Sequence, residues 1–214
     1  MPPINKQLIV FLKSPVAGKC KTRLIPFLSP QQASEFYQSL IIKCLDNIKS
    51  IKHVNVALYV YPNIYHPFIK KLKKIYKFDM HQQQGNNLGE RMHHAIHSTL
   101  KIYKKCTLIG TDCPDLDTNY INAAFNALDN NDICFGPAED GGYVLIAAKK
   151  IQAQLFENIN WGTAQVLQQS LQNNKRQQYK TNLLNPLKDI DTPQDYLHYL
   201  STLNNNTHVR NNHE

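Results

Sequence analysis

Short apolar runs alternate along the chain with longer stretches in which apolar residues recur every three or four positions. Residues 7–12 (Gln-Leu-Ile-Val-Phe-Leu) form an unbroken run of strand length, the pattern of a strand covered on both faces. Downstream, Ala33, Phe36, Tyr37, Leu40, Ile41, Cys44, Leu45 and Ile48 share one broad helical face. Ser29-Pro30-Gln31-Gln32 opens that helix, with Ser29 as N-cap, Pro30 in the first turn and Gln32 completing a capping box. Residues 54–61 predict a second strand that stops at Pro62, 68–75 a basic amphipathic helix and 78–82 a short strand. Asn87 opens another helix, with Leu88, Met92, Ala95, Ile96 and Leu100 inward. Strands follow at 106–110, 133–136 and 143–147, with helices at 120–128 and 164–171. A last helix starts at Thr192-Pro193 and turns Tyr196, Leu197, Leu200 and Leu203 inward.

Strand and helix signals in alternation imply one α/β domain, its sheet mostly parallel and covered by helices. The domain is expected to span residues 1–203. From Asn204 the polar, Asn-rich stretch 204–214 lacks periodicity and is expected to be a disordered tail.

Composition narrows the partners. Lys and Arg total 24 against 16 Asp and Glu, a net charge of +8 that attracts anions. The basic residues are spread rather than blocked, which favours phosphorylated small molecules, and nucleic acid is not an expected partner. Cys20, Cys44, Cys106, Cys113 and Cys134 are scattered and contain no C-x-x-C pair, which argues against a disulfide framework or zinc knuckle. The first apolar run is too short for a signal peptide or a membrane span, so the cytoplasm is the expected location. No oligomeric state is specified.

In open α/β sheets ligands gather beyond the carboxyl ends of the strands. The predicted strands put four polar segments there: 13–23, 111–115, 139–142 and 189–191. The first offers cations at Lys13, Lys19, Lys21 and Arg23, with Gly18, Thr22 and free backbone N–H groups, a set suited to phosphate. It is not a P-loop, and a merely solvated basic loop is the alternative. Asp112, just past a Leu/Ile strand, is a candidate ligand for a hard cation such as Mg²⁺ or Mn²⁺, whose shell substrate phosphates would complete. Asp115 or Asp117 reads instead as a helix cap. In Asp189-Ile190-Asp191 the two carboxylates alternate and share one face, and Asp191 is the second metal candidate.

Glu139-Asp140-Gly141-Gly142 is either a hairpin tip or a pocket edge where one carboxylate takes a proton from an acceptor or binds sugar hydroxyls. Gly141, Gly142 and Trp161 are candidate pocket residues, although core packing is the simpler role for the sole tryptophan. Arg91, in the first turn of its helix, can reach a phosphate. His93 and His97 have metal-ligand spacing but lack the H-E-x-x-H glutamate and read as exposed.

Five stretches carry a family resemblance: Phe-Leu-Lys-Ser-Pro-Val-Ala-Gly-Lys-Cys-Lys-Thr-Arg-Leu, Gln-Gly-Asn-Asn-Leu-Gly-Glu-Arg-Met, Ile-Gly-Thr-Asp-Cys-Pro-Asp-Leu, Gly-Pro-Ala-Glu-Asp-Gly-Gly-Tyr and Asp-Ile-Asp-Thr-Pro-Gln-Asp. In that order they resemble bacterial glycosyltransferase-A-like proteins long labelled as a domain of unknown function, some of them named arsenosugar-biosynthesis glycosyltransferases. The resemblance implies a single-domain, Rossmann-like GT-A fold of the nucleotide-diphospho-sugar transferases, shared with cytidylyl-, guanylyl- and molybdenum-cofactor nucleotidyltransferases. It implies further that the first loop cradles the nucleotide, that Asp112 binds Mg²⁺ or Mn²⁺, and that Asp191 lies near the same ion. This chain departs from the wider group in three places. It lacks the nucleotidyltransferases' Gly-Gly loop, it has Asp-Cys-Pro-Asp where many glycosyltransferases have Asp-x-Asp, and it reads Trp-Gly-Thr where the family has Trp-Ser-Thr.

The resulting expectation is a metal-dependent glycosyltransferase that moves a sugar from a nucleotide diphospho-sugar to a small hydroxyl acceptor. Lys13, Gly18, Lys21, Thr22, Arg23 and Arg91 are expected to bind nucleotide and phosphates, and Glu139 or Asp140 to activate the acceptor. The alternatives are a nucleotidyltransferase that releases pyrophosphate and a non-catalytic nucleotide or RNA binder.

Overall fold

The computed structural model describes residues 4–25 and 27–211, with the side chains of 204–211 outside that description. Its spine is β1 (Lys6–Lys13), the apolar run expected to be covered on both faces. β1 pairs in parallel with β2 (Asn55–Tyr61) on one side and β4 (Lys105–Ile109) on the other. Its side chains then divide between two cores. Leu8, Val10 and Leu12 pack with α1 (Pro30–Ile48), α2 (Pro67–Tyr76) and α4 (Thr118–Ala127), while Ile9 and Phe11 face α3 (Leu88–Leu100) on the opposite side. Burial of each such side chain contributes roughly 1.5–3 kcal/mol, so helices on both faces hold the sheet rigid.

The sheet is completed by β3 (Asp79–Gln82), β5 (Ile133–Pro137), β6 (Tyr143–Ala148) and β7 (Thr181–Leu183), in the order β3-β2-β1-β4-β6-β5-β7. It is mostly parallel, as expected. The exception is β6, which runs antiparallel between β4 and β5 because the Gly-Gly turn folds it straight back. α5 (Val166–Arg176) covers the second face, and α6 (Pro193–Asn211) closes the chain.

Local signals behave as the residues dictate. Ser29 and Gln32 form the reciprocal capping box. Asp117 caps α4 by accepting from the Tyr120 N–H at 2.8 Å. Thr192 and Asp195 cap α6, the Thr192 hydroxyl donating to Asp195 Oδ2 at 2.6 Å. All five cysteines are free and buried. Among the described residues no helix is long and apolar enough to cross a membrane.

Some expectations need correction. Leu88 begins α3 and is exposed rather than inward, since a first-turn residue lies beyond the face that α3 buries. Leu197 and Leu203 are also exposed, because α6 docks through Tyr196 and Tyr199, which pack on the Phe36 ring at 4.7 and 6.1 Å. The backbone of α6 continues past Asn204, where the tail was expected to begin, and 212–214 lie outside the described residues.

The turn between β5 and β6 is built for glycine. Gly141 has φ +91°, and a Cβ there would lie 2.3 Å from the Ala164 carbonyl oxygen. Gly141→Ala is therefore expected to destabilise the fold by about 2–4 kcal/mol, seen as a lower urea midpoint with an unchanged slope.

Candidate functional site

The carboxyl ends of β1 and β4 open onto a cleft of about 570 Å³. The segment leaving β1 is pinned before it turns. Ser14 N–H donates to the Tyr61 carbonyl at 2.7 Å, and Lys13 N–H to the Tyr37 hydroxyl at 2.9 Å. Tyr37 in turn accepts from Thr111 Oγ1 at 3.3 Å, tying the β1 exit to the β4 exit. Gly18 takes φ +75° in the following turn, with open space where a Cβ would be.

Lys21 then adopts φ 47°, in the left-handed region, and its side chain is only 2% exposed. Its ammonium donates to the Ile190 carbonyl at 2.5 Å. It also lies 3.2 Å from Asp112 Oδ2 and 3.6 Å from Asp191 Oδ1. Arg23 adds a second clasp, with Nη1 2.5 Å from Asp191 Oδ2 and Nη2 donating to the Gly162 carbonyl at 3.1 Å. A backbone bond from Ile190 N–H to the Asp112 carbonyl at 2.9 Å closes the junction. Three segments remote in sequence thus meet at one buried cation. A buried ammonium is tolerated only where such partners offset its lost hydration.

Most of the expected site residues line this cleft. Lys13, Lys21, Arg23 and Arg91 supply positive charge, Thr22 a hydroxyl, and Asp112, Asp140 and Asp191 carboxylates. Gly142 and Trp161 form part of the wall. Arg91 is held in place by Nε donating to the Gly85 carbonyl at 2.9 Å, with its guanidinium 3.7 Å from the Tyr61 ring centroid. Three expected residues stand apart. Gly18 shapes the loop without lining the cleft, and Gly141 packs against Ala164. Glu139 is exposed and off the cleft, its backbone N–H tied to the Leu187 carbonyl at 3.1 Å. Asp140, itself exposed, is the carboxylate that lines the cleft, and its Oδ1 accepts from Gly142 N–H at 2.8 Å.

The cleft also holds Gln83 and Asp189. Gln83 is buried, its amide donating to the Leu12 carbonyl at 3.3 Å and the Tyr59 carbonyl at 2.9 Å, and no sequence pattern marks it. Asp189 also lines the cleft, as its alternation with Asp191 allowed. Burial, then the negative charges of Asp140 and Asp112, push its pKa up to about 6. Asp112 Oδ1 is buried with no hydrogen-bond partner.

The Asp189 shift has a definite sign. A carboxyl whose folded pKa exceeds its unfolded value favours the protonated native state, so its contribution is lost as pH rises from about 4 through about 6. Asp189→Asn should remove that loss, raising stability at pH 7.5 in EDTA by about 1 kcal/mol once solvent screening of a half-buried group is allowed for. Urea titrations at pH 4.5 and 7.5 would check it.

Comparison with known proteins adds to this geometry. The family described as "Uncharacterized protein conserved in bacteria (DUF2064)" matches residues 44–163. The chain belongs to this family. The DUF2064 match includes Asp112, Asp140 and Trp161, while the 13–23 loop and Asp191 lie outside it. A provisionally named nucleotide-diphospho-sugar transferase from Desulfovibrio desulfuricans G20 is 30% identical, with 88% of this chain and 83% of that one covered and a TM-score of 0.80. At the level of fold alone, the chain resembles the 4-diphosphocytidyl-2C-methyl-D-erythritol synthase of Anaerococcus prevotii DSM 20548. Identity there is 11%, coverage 94% and 98%, and the TM-score 0.60. It similarly resembles a CMP:2-keto-3-deoxy-manno-octonic acid synthetase solved with CTP, at 7% identity, coverage of 94% and 99%, and a TM-score of 0.59. None of the curated proteins compared matches this DUF2064 chain.

Proposed function

We propose that the chain transfers a sugar from a nucleotide diphospho-sugar to a small hydroxyl acceptor, with Asp112 and Asp191 holding Mg²⁺ or Mn²⁺. The observation that carries this reading is the Lys21 junction, where acids and bases from three parts of the chain converge on one cleft. A diphosphate needs fixed positive charge at such a place, and preformed charge supplies most of the stabilisation of a departing phosphate. The D. desulfuricans relative supports the donor class.

The residues suit a hard divalent ion. Asp112 Oδ1 is buried and unpartnered, and the 3.6 Å contact between Lys21 and Asp191 Oδ1 is a loose one. Hard cations take one or two carboxylates and complete their shell with phosphate oxygens. When bound, the ion would stabilise the negative charge that builds on the departing nucleoside diphosphate.

The chain's own residues do the rest. Lys13 and Arg23, with Thr22 and the loop held by Gly18, bind the two phosphates, and the buried Lys21 adds its charge from behind Asp112 and Asp191. Arg91, braced on Tyr61, adds charge at the far edge of the cleft. Asp140, oriented by Gly142 N–H, takes the proton of the acceptor hydroxyl as its oxygen bonds to the anomeric carbon and the bond to the β-phosphate breaks.

A thermal-shift screen of nucleotide sugars with and without Mn²⁺, followed by product analysis, tests the reading. Selective stabilisation by one donor, with free nucleoside diphosphate as product, is the expected result. Pyrophosphate released from a nucleoside triphosphate would replace this reading with nucleotidyl transfer. Salt-sensitive oligonucleotide binding without turnover would replace it with a binding role.

A further inference from the structure

A second cleft of about 580 Å³ lies behind Trp161, between the start of α3 and the segment around the short 3₁₀ turn Ala153–Phe156. Trp161 lines both clefts. The two differ sharply in chemistry. The first carries Lys and Arg beside its aspartates, whereas the second has Glu90 and Glu157 and no Lys or Arg in its lining. Its histidine, His93, has its pKa lowered by burial and then by His97 and His94, which favours the uncharged ring. Anionic ligands are therefore disfavoured there.

What the cleft offers is Trp161 backed by the buried Phe156 ring, with solvent-facing polar groups around it. Phe156 and Trp161 lie 6.5 Å apart at a shallow 33°. α3 approaches them so closely that a Cβ on Gly89 would lie 2.9 Å from Phe156 Cβ and 2.9 Å from Trp161 Cζ2. Both Glu90 oxygens are taken by the helix start, accepting from Asn86 N–H and Asn87 Nδ2. Among the described residues, by contrast, the Glu157 carboxylate, the Asn158 amide and the His93 ring make no hydrogen bond. A carboxylate, an amide and a neutral imidazole beside aromatic faces are the groups that bind hydroxyls and stack on C–H faces.

We propose that this second cleft binds an uncharged, hydroxyl-rich ligand, a sugar or polyol, against the Phe156–Trp161 wall. The assignment rests on the proposed transfer reaction only in calling that ligand the acceptor. The shared tryptophan would then set acceptor and donor on its two sides.

Because Trp161 is the only tryptophan and lines both clefts, its fluorescence reports binding in either, and the variants separate the two. The full chain is titrated with D-glucose, D-ribose and myo-inositol, and ligand-observed NMR runs in parallel. At least one neutral probe is expected to saturate below about 100 mM, with affinity reduced about tenfold or more in Glu157→Ala/Asn158→Ala. Ala153→Phe, which fills the cleft from its rim, should abolish the response while nucleotide-induced stabilisation persists. All three altered residues are exposed, and circular dichroism checks each fold. Failure of every neutral probe to saturate overturns the inference, as does sugar binding that survives both variants and is displaced by a nucleoside diphosphate. Nucleotide binding without sugar binding defeats this inference alone, whereas sugar binding without nucleotide binding defeats the proposed reaction alone.

Discussion

Alanine in place of Asp112 is expected to cut donor turnover by about a thousandfold while leaving the fold standing. The two effects separate because of how Lys21 is held. In Asp112→Ala the ammonium keeps the Ile190 carbonyl at 2.5 Å and Asp191 at 3.6 Å, so no buried charge is stranded. The backbone bond from Ile190 N–H to the residue 112 carbonyl is also retained. What disappears is the buried oxygen that has no protein partner, the feature best suited to an external cation. Mn²⁺-dependent stabilisation by the donor should vanish, and the apparent melting temperature without ligand should move by only a few degrees. Full Mn²⁺ dependence surviving in the variant would remove Asp112 from the proposed ion site. Lys21→Met is the contrasting case: it leaves Asp112 and Asp191 without their shared cation and should lose stability along with activity.

The layout of the sheet was legible because its strands are buried on both faces and its helices on one, and these two periods differ plainly. Strand direction was less so. β6 is as apolar as the parallel strands β1 and β4, and only the Gly-Gly turn hinted at its reversal. β7, reading Thr-Asn-Leu, is too short and too polar to carry a period.

The strand-end rule named four segments that all reach one cleft, but alternation failed to say which side chains line it. The register shifts between Gly136 and Pro137, just before Glu139 and Asp140, so a two-residue period counted from β5 does not carry through to them. Lys21 could not be told from its basic neighbours, because its left-handed backbone is a property of the folded turn. Asp189 and Asp191 were correctly read as sharing a face, and both reach the cleft. Their different fates, one beside Asp140 and the other clasped by Arg23, arise from contacts across the fold.

The Glu139/Asp140 pair offers the sharpest test of the proposed chemistry, since adjacent carboxylates differ almost only in where they point. Asp140→Asn keeps an oxygen to accept from Gly142 N–H, so the turn should survive. It removes the basic lone pair, and loss of a general base lowers rate by about 10²–10⁴-fold. The loss should fall on kcat, with the KM for donor little changed, because the proposed scheme gives the phosphates to the basic residues of the cleft and not to Asp140. Glu139→Gln should leave turnover within about twofold of the parent, as expected for an exposed side chain outside the cleft. The first variant carries a second, independent signature. Removing the Asp140 charge takes away one cause of the raised Asp189 pKa, so the pH at which Asp189 titrates should fall from about 6, though not to the ordinary value, since burial remains the larger cause. A pH titration of the variant by carboxyl NMR reads that change directly. If Glu139→Gln proved as damaging as Asp140→Asn while the Asp189 titration stayed put, the cleft-lining carboxylate would not be the base, and the transfer step would need a different proton acceptor.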